Sequence, residues 1–429
     1  MLEKLFKLTE NHSSVRQEVV AGLTTFLTMA YIIFVNPAML ADAGMDAGAV
    51  FVATCIAAAI GCLIMGFVAN YPIALAPGMG LNAFFTYSVV LDMGHQWQTA
   101  LAAVFCSGVL FMILSLLKVR EWLMNAIPAS IRIGIAAGIG LFLALIGLKN
   151  AGVIVDNPAT LVGLGDVTSF PVVMAALSFV LVIALVKFGH RSAVMVSILA
   201  ITALALLFGD VEYAGLVSMP PSVAPTFLQL DFAGVFDVAM LSVIFAFLFV
   251  DLFDTSGTLV AVAQRGNLLD KEGKLPRSDR AMLADSTATI AGSMLGTSTT
   301  TSYVESTAGV AAGGRTGLTA VVVGLLFLGC LFISPIAGMV PAYATTGALL
   351  YVAILMLSGL TQVDWDDITE AAPVVVTTIL MPLTFSIAHG IAIGFITYAA
   401  IKLFSGKVKE ISPAVAVLAL LFMAKFAFS

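Results

Sequence analysis

Runs of roughly 17 to 22 apolar residues recur along the whole chain, each about long enough to cross a hydrocarbon core of about 30 Å as a helix. Few folds other than a bundle of membrane-spanning helices can absorb that pattern, because backbone groups inside a bilayer must bond to one another. A β-barrel would alternate apolar and polar residues in strands of about ten, and these runs do not alternate. With 60% hydrophobic and only 10% charged residues, the 429-residue chain lacks the polar surface of a soluble domain. The expected class is therefore an all-α polytopic membrane protein.

With Gly, Pro and charge as punctuation, the runs resolve into about fourteen segments. They lie at roughly 18–35, 48–69, 73–90, 98–117, 131–149, 171–187, 192–208, 238–260, 281–295, 298–313, 316–334, 346–359, 372–388 and 389–404. A cytoplasmic N-terminus puts Lys118, Arg120, Arg132, Lys187, Arg191, Arg265, Lys271, Lys274, Arg277, Arg280, Arg315, Lys402, Lys407 and Lys409 on the cytoplasmic side. Asp42, Asp46, Asp92, Asp156, Asp166, Asp210, Glu212 and Asp231 fall opposite, with Lys149 almost the only base among them. That asymmetry fits the positive-inside rule and predicts a multi-pass protein of the cell's inner, cytoplasmic membrane, surrounded by lipid bilayer. The amphipathic start "MLEKLFKLTENHSSVRQE" has no apolar core or cleavage site, so the first helix is expected to be its own insertion signal. A last apolar stretch, "ISPAVAVLALLFMAKFAF", fits either a fifteenth span or an interfacial helix.

The two halves echo each other. "IPASIRIGIAAGIGLFLALIGL" from Ile127 pairs with "VPAYATTGALLYVAILMLSGL" from Val340, and "GHRSAVMVSILAITAL" with "AHGIAIGFITYAAIKL". Because each set holds an odd number of spans, about seven, the second copy enters the membrane from the other side, which gives an inverted repeat. In such proteins the site forms where helices are interrupted at corresponding places in the two halves. "NYPIALAPGMGLNAFF" carries Pro72, Pro77, Gly78 and Gly80, so helix is expected only from about Leu81. "GSMLGTSTTTSYVESTAG" sets a Ser/Thr run before helix from about Tyr303. Both read as a short extended piece feeding a half-helix, with free N–H groups at the two helix starts.

Glu305 stands in the first turn of the second half-helix, where a buried acid at the membrane midplane costs about 2.5 to 3.5 kcal/mol and so has a function or a partner such as Arg315. In "FLFVDLFDTSGTLVAV", Asp251, Asp254 and Thr258 share one helical face, and Gly257 is expected to admit another backbone. Paired acids suit proton carriage, which assigns Glu305, Asp254 and Asp251 to proton coupling. Asn82 offers a donor and an acceptor, and Phe84 a stacking face. Tyr31, Asn36 and Pro37 lie in "TTFLTMAYIIFVNP", where Pro37 is expected to end the helix and none of the three is expected to be a site residue. "TQVDWDDITE" reads as an acidic surface helix, and Cys55, Cys62, Cys106 and Cys330 as buried small residues without disulfides or metal spacing.

Without a Walker motif or a nucleophile or metal set, the chain is expected to be neither an ATPase nor another enzyme, to need no cofactor and to bind no nucleic acid. Carboxylates with amide and aromatic neighbours suit a planar neutral ligand with N–H donors, and H⁺ as the coupled ion. A homodimer is left open.

At these residues the chain resembles the AzgA-like purine permeases of the nucleobase-cation symporter 2 group. The resemblance runs through "GLTTFLTMAYIIFVNP", "APGMGLNAFF", "FVDLFDTSGTL", "GTSTTTSYVESTAGVAAGGRTGLTA" and "MPLTFSIAHGIAIGF". It implies fourteen spans in two inverted repeats of seven. Residues 1–117 and 237–340 would form a core domain (spans 1–4 and 8–11), and 118–236 and 341–429 a gate domain (spans 5–7 and 12–14). It also implies elevator-type, H⁺-coupled uptake of the purine nucleobases adenine, guanine or hypoxanthine. Substrate contacts carry over to Asp254, Glu305 and Asn82, with Thr258 and Phe84 beside them. Uracil permeases have Glu and a following His where this chain has Asp254 and Thr258. A uracil or xanthine permease, or an anion exchanger on the same fold, is the alternative.

Overall fold

In the computed structural model, residues 2–117, 128–235, 237–270 and 275–428 are described; Lys118, Arg120, Lys271 and Lys274 of the basic loops lie outside the described residues. A short helix α1 (Leu2–Phe6) precedes α2 (Val15–Met29), whose N-cap Ser14 accepts from the Gln17 N–H. The first expected span breaks at Ala30 and Tyr31 and resumes as α3 (Ile32–Asp42). Pro37 lies inside α3, where it removes one backbone donor, and does not end a helix as expected. Span 2 is α4 (Ala47–Ile64) with a π-helical turn, Met65–Ala69, ended by left-handed Asn70.

The strand β1 (Leu75–Pro77) leads into α5 (Met79–Ala83), which continues as a π-helix over Phe84–Asp92. Then follow α6 (Trp97–Leu116), α7 (Ala129–Asn150), a hairpin of β2 (Ile154–Asn157) and β3 (Leu161–Leu164), α8 (Phe170–Lys187) and α9 (Ala193–Leu207). The second half holds α10 (Val238–Arg265), α11 (Ser278–Leu295), β4 (Thr300–Ser302), α12 (Ser306–Ala311), α13 (Gly317–Cys330) and α14 (Ser334–Met339). It closes with α15 (Ala342–Leu357), α16 (Ile368–Leu383), α17 (Ile387–Phe404) and α18 (Pro413–Phe428).

Each expected segment has a counterpart, and among the described residues nine helices are long and apolar enough to cross a membrane. Their outward faces carry large apolar side chains that water would penalise, such as Val180, 62% exposed, and Leu355, 41% exposed. The repeat is visible locally: α7 and α15 start directly after Pro128 and Pro341, as the matched Pro-Ala motifs predict. These two helices pack on each other through small residues, so that a Cβ at Gly140 would meet Met356 Cβ at 2.9 Å. The helix α7 also packs on α16, and α15 on α8, while α4, α6, α11, α13 and α2 pack among themselves. The tail helix α18 lies against α17, with Phe395 and Phe422 ring centres 6.0 Å apart.

The acidic stretch Thr361–Glu370 is not a surface helix. Asp364 accepts from the Asp366 and Asp367 N–H groups, and Asp367 caps α16 through the Thr369 N–H, because short acids favour turns and caps over helix interiors.

Candidate functional site

Two chain breaks meet at the centre of the fold. The strands β1 and β4 pair antiparallel, with Leu75 opposite Ser302, Ala76 opposite Thr301 and Pro77 opposite Thr300. The ladder extends at both ends, as the Gly78 N–H donates to the Thr299 carbonyl (2.9 Å) and the Tyr303 N–H to the Ala74 carbonyl (2.9 Å). Pro77 sits at the end of its strand, where its missing donor costs least. Left-handed Gly296, at φ 100°, ends α11 and turns the chain into the Ser/Thr run. Helix begins at Met79, two residues before the expected start, and at Ser306, three residues after it. At α12 the Ser306, Thr307 and Ala308 N–H groups are taken by the Tyr303, Val304 and Glu305 carbonyls, so these three are not the free N–H groups expected at this helix start.

Glu305 occupies the N-cap position of α12 without capping it. Its carboxylate accepts a hydrogen bond from the Tyr31 hydroxyl at 2.7 Å, and no ion pair to Arg315 forms: that guanidinium donates to the Val310 and Gly314 carbonyls (2.8 and 2.7 Å). The break between α2 and α3 delivers Tyr31 to this carboxylate. One face of α2 cradles α12 and the turn after it. The Thr25 hydroxyl fills the space a Cβ at Gly309 would need (2.0 Å), and the Gln17 amide donates to the Gly313 carbonyl (3.1 Å). Buried Glu18 accepts from the Arg315 N–H (2.9 Å), the Thr316 N–H (3.2 Å) and the Thr319 hydroxyl (2.5 Å), so both ends of the Glu305 segment are fixed by α2.

Asp254 lies on α10, exposed, within charge–charge reach of Glu305 and of Tyr303. The exposed positions Asp254, Gly257, Val260, Ala261 and Gln264 recur every three to four residues, one exposed stripe along α10 towards its basic end at Arg265. A Cβ at Gly257 would meet nothing within 4 Å, so this glycine faces open space and does not admit a second backbone as expected. Thr258, one turn on, is buried. At the other, acidic-loop end the helices close on one another. Tyr87 packs edge-on against Phe142 and Phe385 (6.0 and 6.3 Å), and the Ile387 N–H donates to the Ser88 hydroxyl (3.0 Å).

Asp251 points into the protein, away from that exposed stripe. It is buried, accepts from Thr289 (3.4 Å) and lies beside Asp285, an acid the sequence reading passed over. Asp285 accepts from the Thr255 and Ser302 hydroxyls (2.7 and 2.9 Å), which ties α10 and α11 to β4. A lone acid amid "MLADSTATIAG" was the available signal. Asn82, on α5, is fully buried, and both its amide oxygen and nitrogen lack a hydrogen-bond partner. Such a group carries a desolvation cost of about 1–3 kcal/mol until something bonds to it. Phe84 is buried against Phe247, with ring centres 4.8 Å apart, and offers no open face here. Asn36 donates to Thr54 and Thr297 (2.7 and 2.9 Å) and so braces the Ser/Thr run from α3. The described residues hold no His, Cys, Asp and Glu group with metal-site geometry.

The transmembrane domain of the cyanobacterial bicarbonate transporter BicA superposes with a TM-score of 0.67 at 16% identity, covering 87% of this chain and 96% of that one, which shows a shared fold. Adenine permease AdeP of Escherichia coli K12 is 51% identical over 428 residues, covering 100% of this chain and 96% of that protein. Guanine/hypoxanthine permease PbuG of Bacillus subtilis 168 is 47% identical over 439 residues, covering both chains fully. The permease family Xan_ur_permease matches residues 16–393. Intramembrane carboxylates around a crossed-strand centre, this fold and these relatives agree: the chain is a multi-pass membrane protein that belongs to that permease family.

Proposed function

We propose that the protein imports purine nucleobases (adenine, guanine or hypoxanthine) by H⁺ symport across the inner membrane, with its N-terminus in the cytoplasm. The observation that carries the reading is the pair Asp254 and Glu305, one exposed and one half-buried acid close enough to interact as charges, with no cation paired to either among the described residues. Carboxylates accept N–H bonds from a neutral purine and repel an anion, which argues against an anion exchanger. The resemblance to AdeP and PbuG supports purines over uracil or xanthine.

Asp254 and Glu305 take the substrate N–H groups, with Thr258 a turn below. Asn82 reads a ring nitrogen and an exocyclic group, and Phe84 backs that wall. Glu305, Asp254 and Asp251 carry the coupled proton. Residues 1–117 and 237–340 form the moving core, and 118–236 and 341–429 the gate. The exposed stripe of α10 running towards its basic end, with the aromatic cluster of Tyr87, Phe142 and Phe385 closing the other end, fits an inward-facing stage of an elevator. Uptake of radiolabelled adenine, hypoxanthine, guanine, uracil and xanthine in transport-null cells, with and without an uncoupler, tests this. Uncoupler-sensitive purine uptake supports it, and uptake of uracil or xanthine alone rejects it.

A further inference from the structure

The start of α7 carries a cation without a partner. Arg132 is half-buried, and among the described residues its guanidinium makes no hydrogen bond and no ion pair, with the Nε atom itself buried. A guanidinium stays charged and carries several donors, so leaving it unpaired at the end of a membrane helix is costly. Its one contact is a ring: the guanidinium carbon lies 5.6 Å from the ring centre of Phe253 on α10. Phe245, Phe249 and Phe253 fall at every fourth residue on one face of α10 and stack with ring centres 6.2 and 6.4 Å apart, so Arg132 stands at the end of a staircase of rings. Phe245 and Phe249 form one wall of a slot of about 260 Å³, and Pro413, Val417, Leu418 and Leu421 of α18 form the other. No polar side chain lines it. At its outer edge Val417 and Leu421 are 56% and 52% exposed, as befits a surface that meets lipid.

We propose that this slot binds an anionic phospholipid, with an acyl chain between α10 and α18 and the headgroup phosphate on the Arg132 guanidinium. An apolar slot that leads along stacked rings to an unpaired cation matches a molecule with an apolar chain and an anionic end. The planar fork of Arg132 fits two phosphate oxygens at once. Among the described residues no carboxylate lies within 4 Å of Arg132 to take the cationic part of a zwitterionic headgroup, which favours an anionic one. Arg132 also stands on the basic-loop side, where the orientation proposed above puts the more anionic leaflet. In the division proposed above, α10 belongs to the core and α7 and α18 to the gate, so the lipid spans the two.

The test titrates the purified, detergent-solubilised protein with phosphatidylglycerol and with phosphatidylcholine of the same chains, and counts bound lipid on the intact protein by native mass spectrometry. Wild type should bind phosphatidylglycerol saturably and more tightly than phosphatidylcholine. Arg132→Gln should weaken phosphatidylglycerol about 10- to 150-fold, the range for losing a hydrogen bond to a charged group, and erase the headgroup preference. Arg132→Lys keeps the charge but loses the fork, so it should fall between. Val417→Trp narrows the slot from its exposed edge and leaves the charge alone, so it should weaken both lipids alike. Equal affinity of the wild type for the two headgroups, or wild-type phosphatidylglycerol binding in Arg132→Gln, would overturn the assignment. Unchanged lipid binding in Val417→Trp would overturn it as well, and that result does not depend on Arg132→Gln folding. Inorganic phosphate that displaces the lipid with equal potency would give Arg132 to a soluble anion, and a lipid-free dimer that dissociates in Val417→Trp would give the slot to a second copy; either overturns the proposal. None of these readouts involves purine uptake, so the outcome is separate from that of the proposed symport.

Discussion

Replacing Tyr31 by Phe removes one oxygen and leaves the ring volume that packs where α2 gives way to α3. The atom removed donates to Glu305 at 2.7 Å from a side chain only 2% exposed, so water does not replace it. A hydrogen bond to a charged group contributes about 1.5 to 3 kcal/mol, and that range sets an upper bound of roughly 10- to 150-fold on the effect. The loss should appear in affinity, because the Tyr31 bond fixes which way the carboxylate faces, while Thr28 only touches the Glu305 backbone carbonyl at 3.5 Å. Initial-rate uptake of labelled adenine across a concentration series, at matched membrane amounts, gives KM and Vmax for Tyr31→Phe and for Thr28→Val as control. A rise in KM with Tyr31→Phe, and a change under twofold with Thr28→Val, is expected. If Tyr31→Phe keeps wild-type KM and Vmax, the carboxylate is oriented by something else. If only the amount of folded protein falls, the bond serves folding alone.

Asp254→Asn should cost far more uptake than Asp251→Asn, since Asp254 is exposed beside Glu305 while Asp251 is buried beside Asp285; equal losses would contradict the assignment. Asn82→Ala should lower affinity roughly 5- to 150-fold, as about 1 to 3 kcal/mol of ligand hydrogen bonding is lost, and reorder the purines in competition; an unchanged profile removes Asn82 from the site. Outside the membrane, the Lys407 ammonium 2.6 Å from Asp367, with the Thr369 donors, holds that carboxyl below the usual carboxylate range. A depressed acid contributes stability above its unfolded value of about 3.9 and loses it as pH falls through the folded value. The melting difference between wild type and Asp367→Asn should thus persist from neutral pH to about 4 and shrink only in stronger acid; a difference that vanishes already at pH about 6 would contradict this.

Much of the fold was legible because membrane helices announce themselves by length, and Pro72, Pro77, Gly78 and Gly80 mark a helix interruption without any partner in view. The Ser/Thr run did the same for β4. Tyr31 was not legible as the partner of Glu305 because the two lie 274 residues apart in sequence. Asp285 escaped for a related reason: its acceptors' partners, Thr255 and Ser302, come from two other elements. Gly257 was misread because small residues in membrane helices usually mark close packing, whereas here the neighbouring space is open. The acidic stretch before α16 was misread because charge pattern was weighed above the turn-forming habit of Asp364 and Asp367.

Purine accumulation by the purified protein in sealed liposomes, driven only by an imposed proton gradient, tests the proposed symport most directly. A gradient equivalent to 100 mV supplies about 2.3 kcal/mol per proton, enough for roughly 50-fold accumulation of a neutral base at one proton per base. Labelled adenine or hypoxanthine should concentrate inside wild-type vesicles and equilibrate when an uncoupler is added. Glu305→Gln vesicles should exchange purine for purine yet never concentrate it. Accumulation that ignores the uncoupler, or a Gln variant that concentrates purine as the wild type does, would contradict proton coupling through Glu305.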